Sequence, residues 1–274
     1  SQPLLAAYET VLLPSAAVLK EIRRASEARP PGRPSLAILA DPSYGGSEPV
    51  PPAPLPLVPD VTRGGLAPLT WSRREADQIA GLADGYEVLK ALGPDASREL
   101  ATSGRLAQYR LLHFATHGFV DNDHPELSGL ALASVDKDGH PLEGFLRLQD
   151  LYALHLESDL VVLSGCETGL GRDLRGEGLQ SLTHGFLHAG ASQVIASLWP
   201  VRDRAATELM LRLYRAMLRD GMRPAAALRA AQLQMREDPS RAWRDPYFWA
   251  PFVAQGDWLA GADRADRTDT PSTR

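Results

Sequence analysis

Two side chains in the sequence could together perform nucleophilic chemistry, the imidazole of His117 and the thiol of Cys166. Each follows an apolar run of strand length, LLHFAT before His117 and DLVVLSG before Cys166. Because the carboxyl ends of parallel strands meet at one edge of a sheet, we expect the two side chains to face each other across a cleft. A thiolate is the nucleophilic form of cysteine, and a nearby imidazolium favours it. Gly118 places a backbone N–H beside the histidine, where it could donate to an oxyanion.

Each of these residues alone also has a structural interpretation. A single buried cysteine is most often a small core residue, and a histidine that ends a strand is usually structural as well. The occurrence of both, each after an apolar strand and before a glycine-containing turn, favours catalysis. Papain-like enzymes and nucleophile-elbow hydrolases fit less well, because they need a histidine well after the nucleophile and no histidine follows His188.

Two other patterns that could bind a ligand are weaker. His184 and His188 have a spacing that suits zinc on a helix, but their segment HGFLH lacks the glutamate of a metallopeptidase and no third ligand is apparent. The run GLGRDLRGEG lacks the Gly-Lys-Ser/Thr of a phosphate-binding loop. We interpret the histidines as ordinary helix side chains and the glycine-rich run as a loop bordering the cleft, and we expect no metal or other cofactor.

The elements that must position His117 and Cys166 are short apolar strands that alternate with helices. This pattern predicts an α/β fold, with a mostly parallel sheet covered by helices on both faces. Strands are predicted over residues 35–40, 86–90, 109–116, 130–134, 159–164, 193–197 and 252–257. Helices are predicted over residues 14–28, 72–84, 95–103, 148–154, 176–189, 203–219 and 224–237. The second of these helices has a capping-box pattern, with Ser72 at its start and Glu75 three residues later.

Two segments are predicted to lie outside the packed fold, which then spans residues 1–260. Six prolines occur between Pro49 and Pro59, so we interpret residues 45–67 as an exposed, extended loop. Residues 261–274 are polar and are predicted to be a disordered tail.

Composition excludes several classes of protein. The 274 residues carry 29 basic and 34 acidic side chains, and a net charge of -5 argues against a broad basic surface for nucleic acid. The sequence contains no run of 18 apolar residues, so it predicts no membrane-spanning helix. The single cysteine excludes an intrachain disulfide and favours a reducing, cytoplasmic setting. The basic side chains are mostly arginine, as in GC-rich coding, and we expect a bacterial protein.

Five segments carry a resemblance to a known family: PLTWSRREADQI, HFATHGF, SGCETGLG, GEGLQSLTHGFLHAGASQVIASLWPV and DPYFWAPFVAQGDW. In this order they resemble the CHAT domain, a caspase-like cysteine peptidase module related to separase. Three positions depart from the pattern, since Gly165 stands where alanine is usual, Trp71 where a Gly-Thr turn is expected and Arg202 where an acidic residue is common. The beginning of the chain resembles a mid-domain passage, so we expect it to lack an amino-terminal part of the domain.

The resemblance implies a caspase-like fold and a cysteine endopeptidase that cleaves a protein substrate through a thioester. His117 and Cys166 match its catalytic dyad, and the backbone N–H groups of Gly118 and Cys166 would bind the oxyanion. The stretch ASLWPVRD is similar to the separase segment whose aspartate accepts an arginine side chain, which implies substrate contacts for Ser197, Trp199 and Asp203 and cleavage after a basic residue. The position of Asp203 at a predicted helix start is equally typical of an N-cap.

The resemblance also implies partners and leaves an alternative open. Family members carry tetratricopeptide repeats upstream, so we expect such repeats or an activating protein to act on the domain, and neither nucleic acid nor a membrane as a direct partner. The alternative is a catalytically silent CHAT scaffold that mediates assembly within a larger repeat protein.

Overall fold

The computed structural model of the chain describes residues 3–30, 32–45, 66, 69–119, 128–165 and 177–261, with the backbone alone at 177–181. Its helices are α1 (Ala16–Ala28), α2 (Ser72–Leu82), α3 (Arg98–Thr102), α4 (Leu148–Ala153), α5 (Glu177–His188), α6 (Asp203–Leu218), α7 (Pro224–Arg236) and α8 (Pro246–Trp249). Its strands are β1 (Val11–Leu12), β2 (Ser35–Pro42), β3 (Glu87–Gly93), β4 (Leu111–Ala115), β5 (Gly118–Phe119), β6 (Gly129–Ala131), β7 (Phe145–Arg147), β8 (Leu160–Leu163), β9 (Gln193–Ser197) and β10 (Phe252–Gly256). Short 3-10 turns lie at Leu4–Ala6 and Arg105–Gln108.

A seven-stranded sheet forms the centre of the fold, in the order β1-β10-β9-β8-β4-β2-β3. The five strands from β9 to β3 are parallel, whereas β10 runs antiparallel to β9 and β1 is parallel to β10. Strands β4 and β8 are direct neighbours, with Phe114 opposite Leu163. The two strands that precede His117 and Cys166 therefore lie side by side and end at the same edge.

Helices cover both faces of this sheet, which confirms the predicted fold class. On one face the core contains side chains from α1, α3, α4 and α5, such as Ile22, Leu100, Leu151 and Phe186. On the other face it contains side chains from α2, α6, α7 and α8, such as Ile79 and Tyr214. Every residue of β4 is buried because its side chains alternate between these two cores. This explains why the strand reads as a continuous apolar run.

The strand predicted over residues 130–134 forms as β6, but it lies in a separate antiparallel sheet of order β5-β6-β7 and not in the main sheet. Two predictions at helix starts were wrong. Helix α1 begins after Ser15, whose side chain accepts from the N–H of Val18, so Pro14 precedes the helix. Trp71 occupies the N-cap of α2, and Ser72 is its first residue, with its hydroxyl bonded to the carbonyl of Leu69. The capping box predicted from Ser72 and Glu75 therefore does not form.

The two segments predicted to lie outside the fold fall almost entirely outside the described residues. Of residues 45–67 the structure describes Gly45 and Leu66, and of residues 261–274 it describes Gly261. Both predictions stand as expectations. None of the described helices is long and apolar enough to cross a membrane.

Candidate active site

His117 lies at the carboxyl end of β4, where the chain turns into the small second sheet. The residue is 2% exposed, and its carbonyl accepts a 2.8 Å hydrogen bond from the N–H of Ala131. Gly118 begins β5 and pairs with Leu130 of β6. The apolar strand thus delivers the histidine to the predicted edge, and the β5–β6 pairing fixes the backbone on both sides of it.

Tyr44 contacts the imidazole of His117, and the sequence did not predict this contact. Its ring lies 5.8 Å from the ring of His117, and its hydroxyl donates to the carbonyl of Ala131 at 3.2 Å. Burial raises the pKa of the Tyr44 phenol, more than a hydrogen bond from the His117 backbone lowers it. The phenol is therefore neutral near pH 7 and acts as a donor. Tyr44 follows β2 at the start of the proline-rich segment, where no local pattern marks it.

Cys166 lies outside the described residues, but the residue before it is described. Gly165 follows β8 and packs directly on the backbone of Thr116, the residue before His117. A Cβ built on Gly165 would collide with the carbonyl oxygen of Thr116 and lie 2.7 Å from its nitrogen. The glycine that departs from the family pattern is thus the residue that lets these two strand ends touch.

A buried polar cluster lies on the α2 and α6 side of the same strand ends. Glu75 Oε1 is 2.8 Å from His113 Nε2 and also accepts a hydrogen bond from the hydroxyl of Ser164. The hydroxyl of Tyr214 is 3.2 Å from His113 Nδ1. These four residues, which we call the Glu75 cluster, were not identified from the sequence as functional. His113 carried a signal, as a histidine inside the otherwise apolar strand LLHFA, whereas Glu75 is one of several charged residues in α2.

The three residues predicted to contact substrate lie at the end of β9 and in the chain that follows it, each in a distinct environment. Ser197 ends β9 and is buried, and its Oγ has no hydrogen-bond partner among the described residues. The indole of Trp199 donates to the carbonyl of Tyr247 at 3.2 Å, so the loop after β9 is held against α8. Asp203 is the first residue of α6, and its Oδ2 accepts from the backbone N–H of Trp71 at 2.8 Å.

The N-cap interpretation of Asp203 is wrong. Arg202 occupies the N-cap of α6, and the carboxylate of Asp203 instead joins the start of α6 to the start of α2. A carboxylate has lone pairs for several donors, so this bond is compatible with a further ligand. The substrate-binding role of Asp203 stays a prediction.

Two groups of possible metal ligands have simpler explanations. The exposed turn that contains Asp136, Asp138 and His140 brings three ligand atoms within 4.8 Å of one another. Asp136 already accepts from the backbone N–H groups of the other two residues, as expected for a hydrogen-bonded turn. His188 packs edge-on against Tyr152 at 5.2 Å, in keeping with an ordinary helix side chain.

Comparisons with known proteins agree with this architecture. Tetratricopeptide repeat protein 28 from Mus musculus is 30% identical over 218 residues, which make up 69% of this chain and 9% of that protein. The Homo sapiens protein of the same name is 29% identical over 220 residues, 69% of this chain and 8% of that protein. The chain therefore spans less than a tenth of these relatives.

A solved structure shows the fold itself. Saccharomyces cerevisiae separase, in its complex with securin, aligns with 90% of this chain and 14% of the separase chain, at 13% identity and a TM-score of 0.51. The fold is thus the caspase-like α/β fold. The CHAT domain family matches residues 1–257. The chain belongs to the CHAT domain family.

Proposed function

We propose that this protein is a cysteine endopeptidase with His117 and Cys166 as its catalytic dyad. The observation that carries the proposal is the contact of Gly165 with the backbone of Thr116. Because each of these residues directly precedes one member of the dyad, the contact brings the two chain segments together at one sheet edge. Membership of the CHAT family and the caspase-like fold support the same chemistry.

The proposed reaction passes through a thioester. The thiolate of Cys166 attacks the carbonyl carbon of the scissile peptide bond, and the C–N bond breaks as the imidazolium of His117 gives its proton to the leaving amine. His117 then takes a proton from water as the water oxygen attacks the thioester and the C–S bond breaks, which releases the carboxylic acid and restores the thiolate of Cys166 beside the imidazolium. The backbone N–H groups of Gly118 and Cys166 would stabilise the oxyanion in both steps.

Cleavage after a basic residue is the finer part of the proposal. A carboxylate at Asp203 could bind a guanidinium through two parallel hydrogen bonds, which favours arginine over lysine. Ser197 ends β9, Trp199 lies between β9 and this carboxylate, and the two would form the adjacent wall. Asp203→Asn is the sharpest variant, because it keeps an oxygen for the N–H of Trp71 while it removes the charge.

The experiment is cleavage of a peptide library, with Cys166→Ala and His117→Ala as the inactive variants. Each substitution should lower the cleavage rate by at least about 1,000-fold while the far-ultraviolet circular dichroism stays unchanged. Asp203→Asn should abolish the preference for arginine without abolishing cleavage. Undiminished proteolysis by Cys166→Ala would refute the dyad, and an unchanged library profile for Asp203→Asn would refute the role of that carboxylate.

A second candidate function is supported by the names of the curated relatives, which are tetratricopeptide repeat proteins. The domain would then be a silent scaffold within a longer repeat protein. Exposed apolar side chains near the beginning of the chain favour a partner surface there: Leu4, Tyr8, Leu12, Leu13 and Val18. Repeats or an activating protein at that surface would suit the peptidase as well. A thiol-directed electrophilic peptide separates the two functions, because it labels Cys166 in a peptidase and leaves a scaffold unlabelled.

The proposed setting is a reducing cytoplasm. The dyad needs a free thiol, and a single cysteine has no partner in the chain for a disulfide.

A further inference from the structure

The Glu75 cluster consists of buried polar side chains that the proposed reaction does not use. Glu75 is 1% exposed, Ser164 is 5% exposed, and His113 and Tyr214 are 0% exposed. The four residues come from two helices and from two chain segments of the sheet, since Glu75 lies in α2, Tyr214 in α6, His113 in β4 and Ser164 directly after β8. Burial of polar groups to this depth lowers the stability of the fold unless the groups are hydrogen-bonded.

The hydrogen bonds of the cluster form one consistent chain. Burial, followed by the negative charge of Glu75, raises the pKa of the Tyr214 phenol, so this hydroxyl keeps its proton and donates to His113 Nδ1. His113 Nε2 then carries the other ring proton and donates to Glu75 Oε1. The hydroxyl of Ser164 donates to the same oxygen. Every proton of the cluster has an acceptor, and every bond leads to the carboxylate of Glu75.

Among the described residues the carboxylate of Glu75 has no permanently charged partner. No described arginine or lysine lies within ion-pair distance of it, and its neighbour at that distance is His113. Its position in the first turn of α2 supplies a favourable helix dipole. A hydrophobic residue of similar size would pack at this site without any charge to bury. Stability alone therefore does not account for a carboxylate here.

The cluster instead connects the helices to the strand ends that carry the dyad. Ser164 is separated from Cys166 by Gly165 alone, and His113 lies four residues before His117 in the same strand segment. The bond from the N–H of Trp71 to Asp203 ties the starts of α2 and α6 together beside the cluster. Glu75 thus holds both strand ends from one rigid position.

We propose that Glu75 is the positioning residue for Cys166, acting through Ser164 and supported by His113 and Tyr214. The inference rests on the proposed function, since it needs a Cys166 that His117 activates. Glu75 touches neither substrate nor thiol in this role. It fixes the end of β8 at Ser164, two residues before Cys166 in the sequence.

The experiment uses the single cysteine as its reporter. The rate of alkylation by iodoacetamide, measured from pH 5 to pH 10, gives the apparent pKa of Cys166 without any peptidase assay. Activation by His117 predicts an apparent pKa below the ordinary value of about 8.5, and His117→Ala should restore that value. Glu75→Gln, which keeps the size of the side chain, should raise the apparent pKa by about one unit and slow alkylation at neutral pH several-fold.

The sign of this change separates positioning from a plain electrostatic effect. Loss of the buried negative charge without movement would make the thiolate easier to form, so the apparent pKa would fall. A fall, or no change, contradicts the proposal. Asp257→Asn is the matched control, because Asp257 is also a buried carboxylate but lies at the opposite end of β9, paired with Arg23. This control should leave the alkylation profile where it is.

Two further variants keep the test decisive if Glu75→Gln unfolds the protein. Ser164→Ala removes only the direct link to β8 and should reproduce the rise in apparent pKa, whereas Tyr214→Phe should give a smaller rise. An unaltered profile in Ser164→Ala would overturn the inference. If the apparent pKa of Cys166 in the unaltered protein is the ordinary thiol value, both the proposed function and this inference are refuted. If that pKa is lowered in the unaltered protein but does not change in Ser164→Ala, this inference alone is refuted.

Discussion

Buried carboxylates at the amino ends and at the carboxyl ends of the central strands have different kinds of partner. At the amino ends of β4, β8 and β9, Asp159 accepts from Arg110 at 2.9 Å and lies 3.7 Å from a nitrogen of Arg29. Arg29 also donates to the carbonyl of Ser158 and to the hydroxyl of Ser192. At the carboxyl ends, the carboxylate of Glu75 has a histidine and a serine as its partners.

The comparison sets a strand end with fixed ion pairs against the strand end at which the proposed dyad lies. Arg110 and Arg29 carry permanent charges, so Asp159 has fixed counter-charges. The described partners of Glu75 are side-chain hydrogen-bond donors without a permanent charge. The first test removes an ion pair at the amino ends of the strands and measures both the stability of the protein and the reactivity of Cys166 at the carboxyl ends.

The largest expected effect is that of Arg29→Ala on folding. The side chain of Arg29 is 7% exposed and joins α1 to the loops before β8 and β9, so its loss should lower the free energy of unfolding by about 3 kcal/mol. Urea denaturation measures this change. The alkylation profile of Cys166 should stay unchanged in the folded variant, because the altered edge lies at the far end of the strands.

Arg24→Ala is the control in the same helix. Arg24 pairs with Glu21 on the surface, where an ion pair contributes between zero and about 1 kcal/mol. Equal losses for the two variants would show that burial of Arg29 does not matter. A shift of the thiol profile in Arg29→Ala would show that the two edges are not independent.

Much of the fold follows from the sequence because its central strands are buried on both faces. The run that became β8 is wholly apolar and those that became β4 and β9 are mostly apolar, and the strand predicted over 193–197 has the bounds of β9. The shorter strands β1, β5 and β7 were not predicted, since two or three residues carry no measurable periodicity. Their formation depends on neighbours that are distant in the chain, such as β10 for β1.

The candidate site is predictable only in part, because some of its contacts also join residues that are distant in the chain. His117 could be identified because it directly follows an apolar strand. Glu75 was assigned to a capping box, because Ser-x-x-Glu at a helix start fits that local pattern equally well. Glu75 belongs to the buried cluster and not to a capping box because it bonds to His113, 38 residues away, and to Ser164, 89 residues away. No local pattern encodes a partner at such separations.

The next effect concerns the contact of the two strand ends. Gly165→Ala places a methyl group against the backbone of Thr116, so either β4 and β8 move apart at this edge or the end of β8 turns away. We expect a loss of about 1 to 3 kcal/mol in the free energy of unfolding, together with slower alkylation of Cys166 at neutral pH. Thermal unfolding and the iodoacetamide rate measure the two consequences.

A matched glycine elsewhere separates crowding from the general effect of alanine. Gly81 lies in α2 with no atom within 4 Å of a built Cβ, so Gly81→Ala should stabilise the protein by up to about 1 kcal/mol. Opposite signs for the two substitutions would support the close approach at Gly165. A neutral or stabilising Gly165→Ala would show that Thr116 and Gly165 do not touch.

The smallest expected effect is that of Tyr44→Phe, which tests what holds His117 in place. This variant loses the hydrogen bonds of the hydroxyl to the Ala131 carbonyl and from the His117 backbone but keeps the ring beside the imidazole, so it should cost about 1 to 2 kcal/mol and leave the thiol profile within experimental error. Tyr44→Ala also removes the ring and should raise the apparent pKa of Cys166, because the imidazole loses the surface that fixes its orientation. If Tyr44→Phe shifts the profile as far as Tyr44→Ala does, the hydroxyl rather than the ring positions His117. The carboxyl edge would then depend on hydrogen bonds at both members of the dyad.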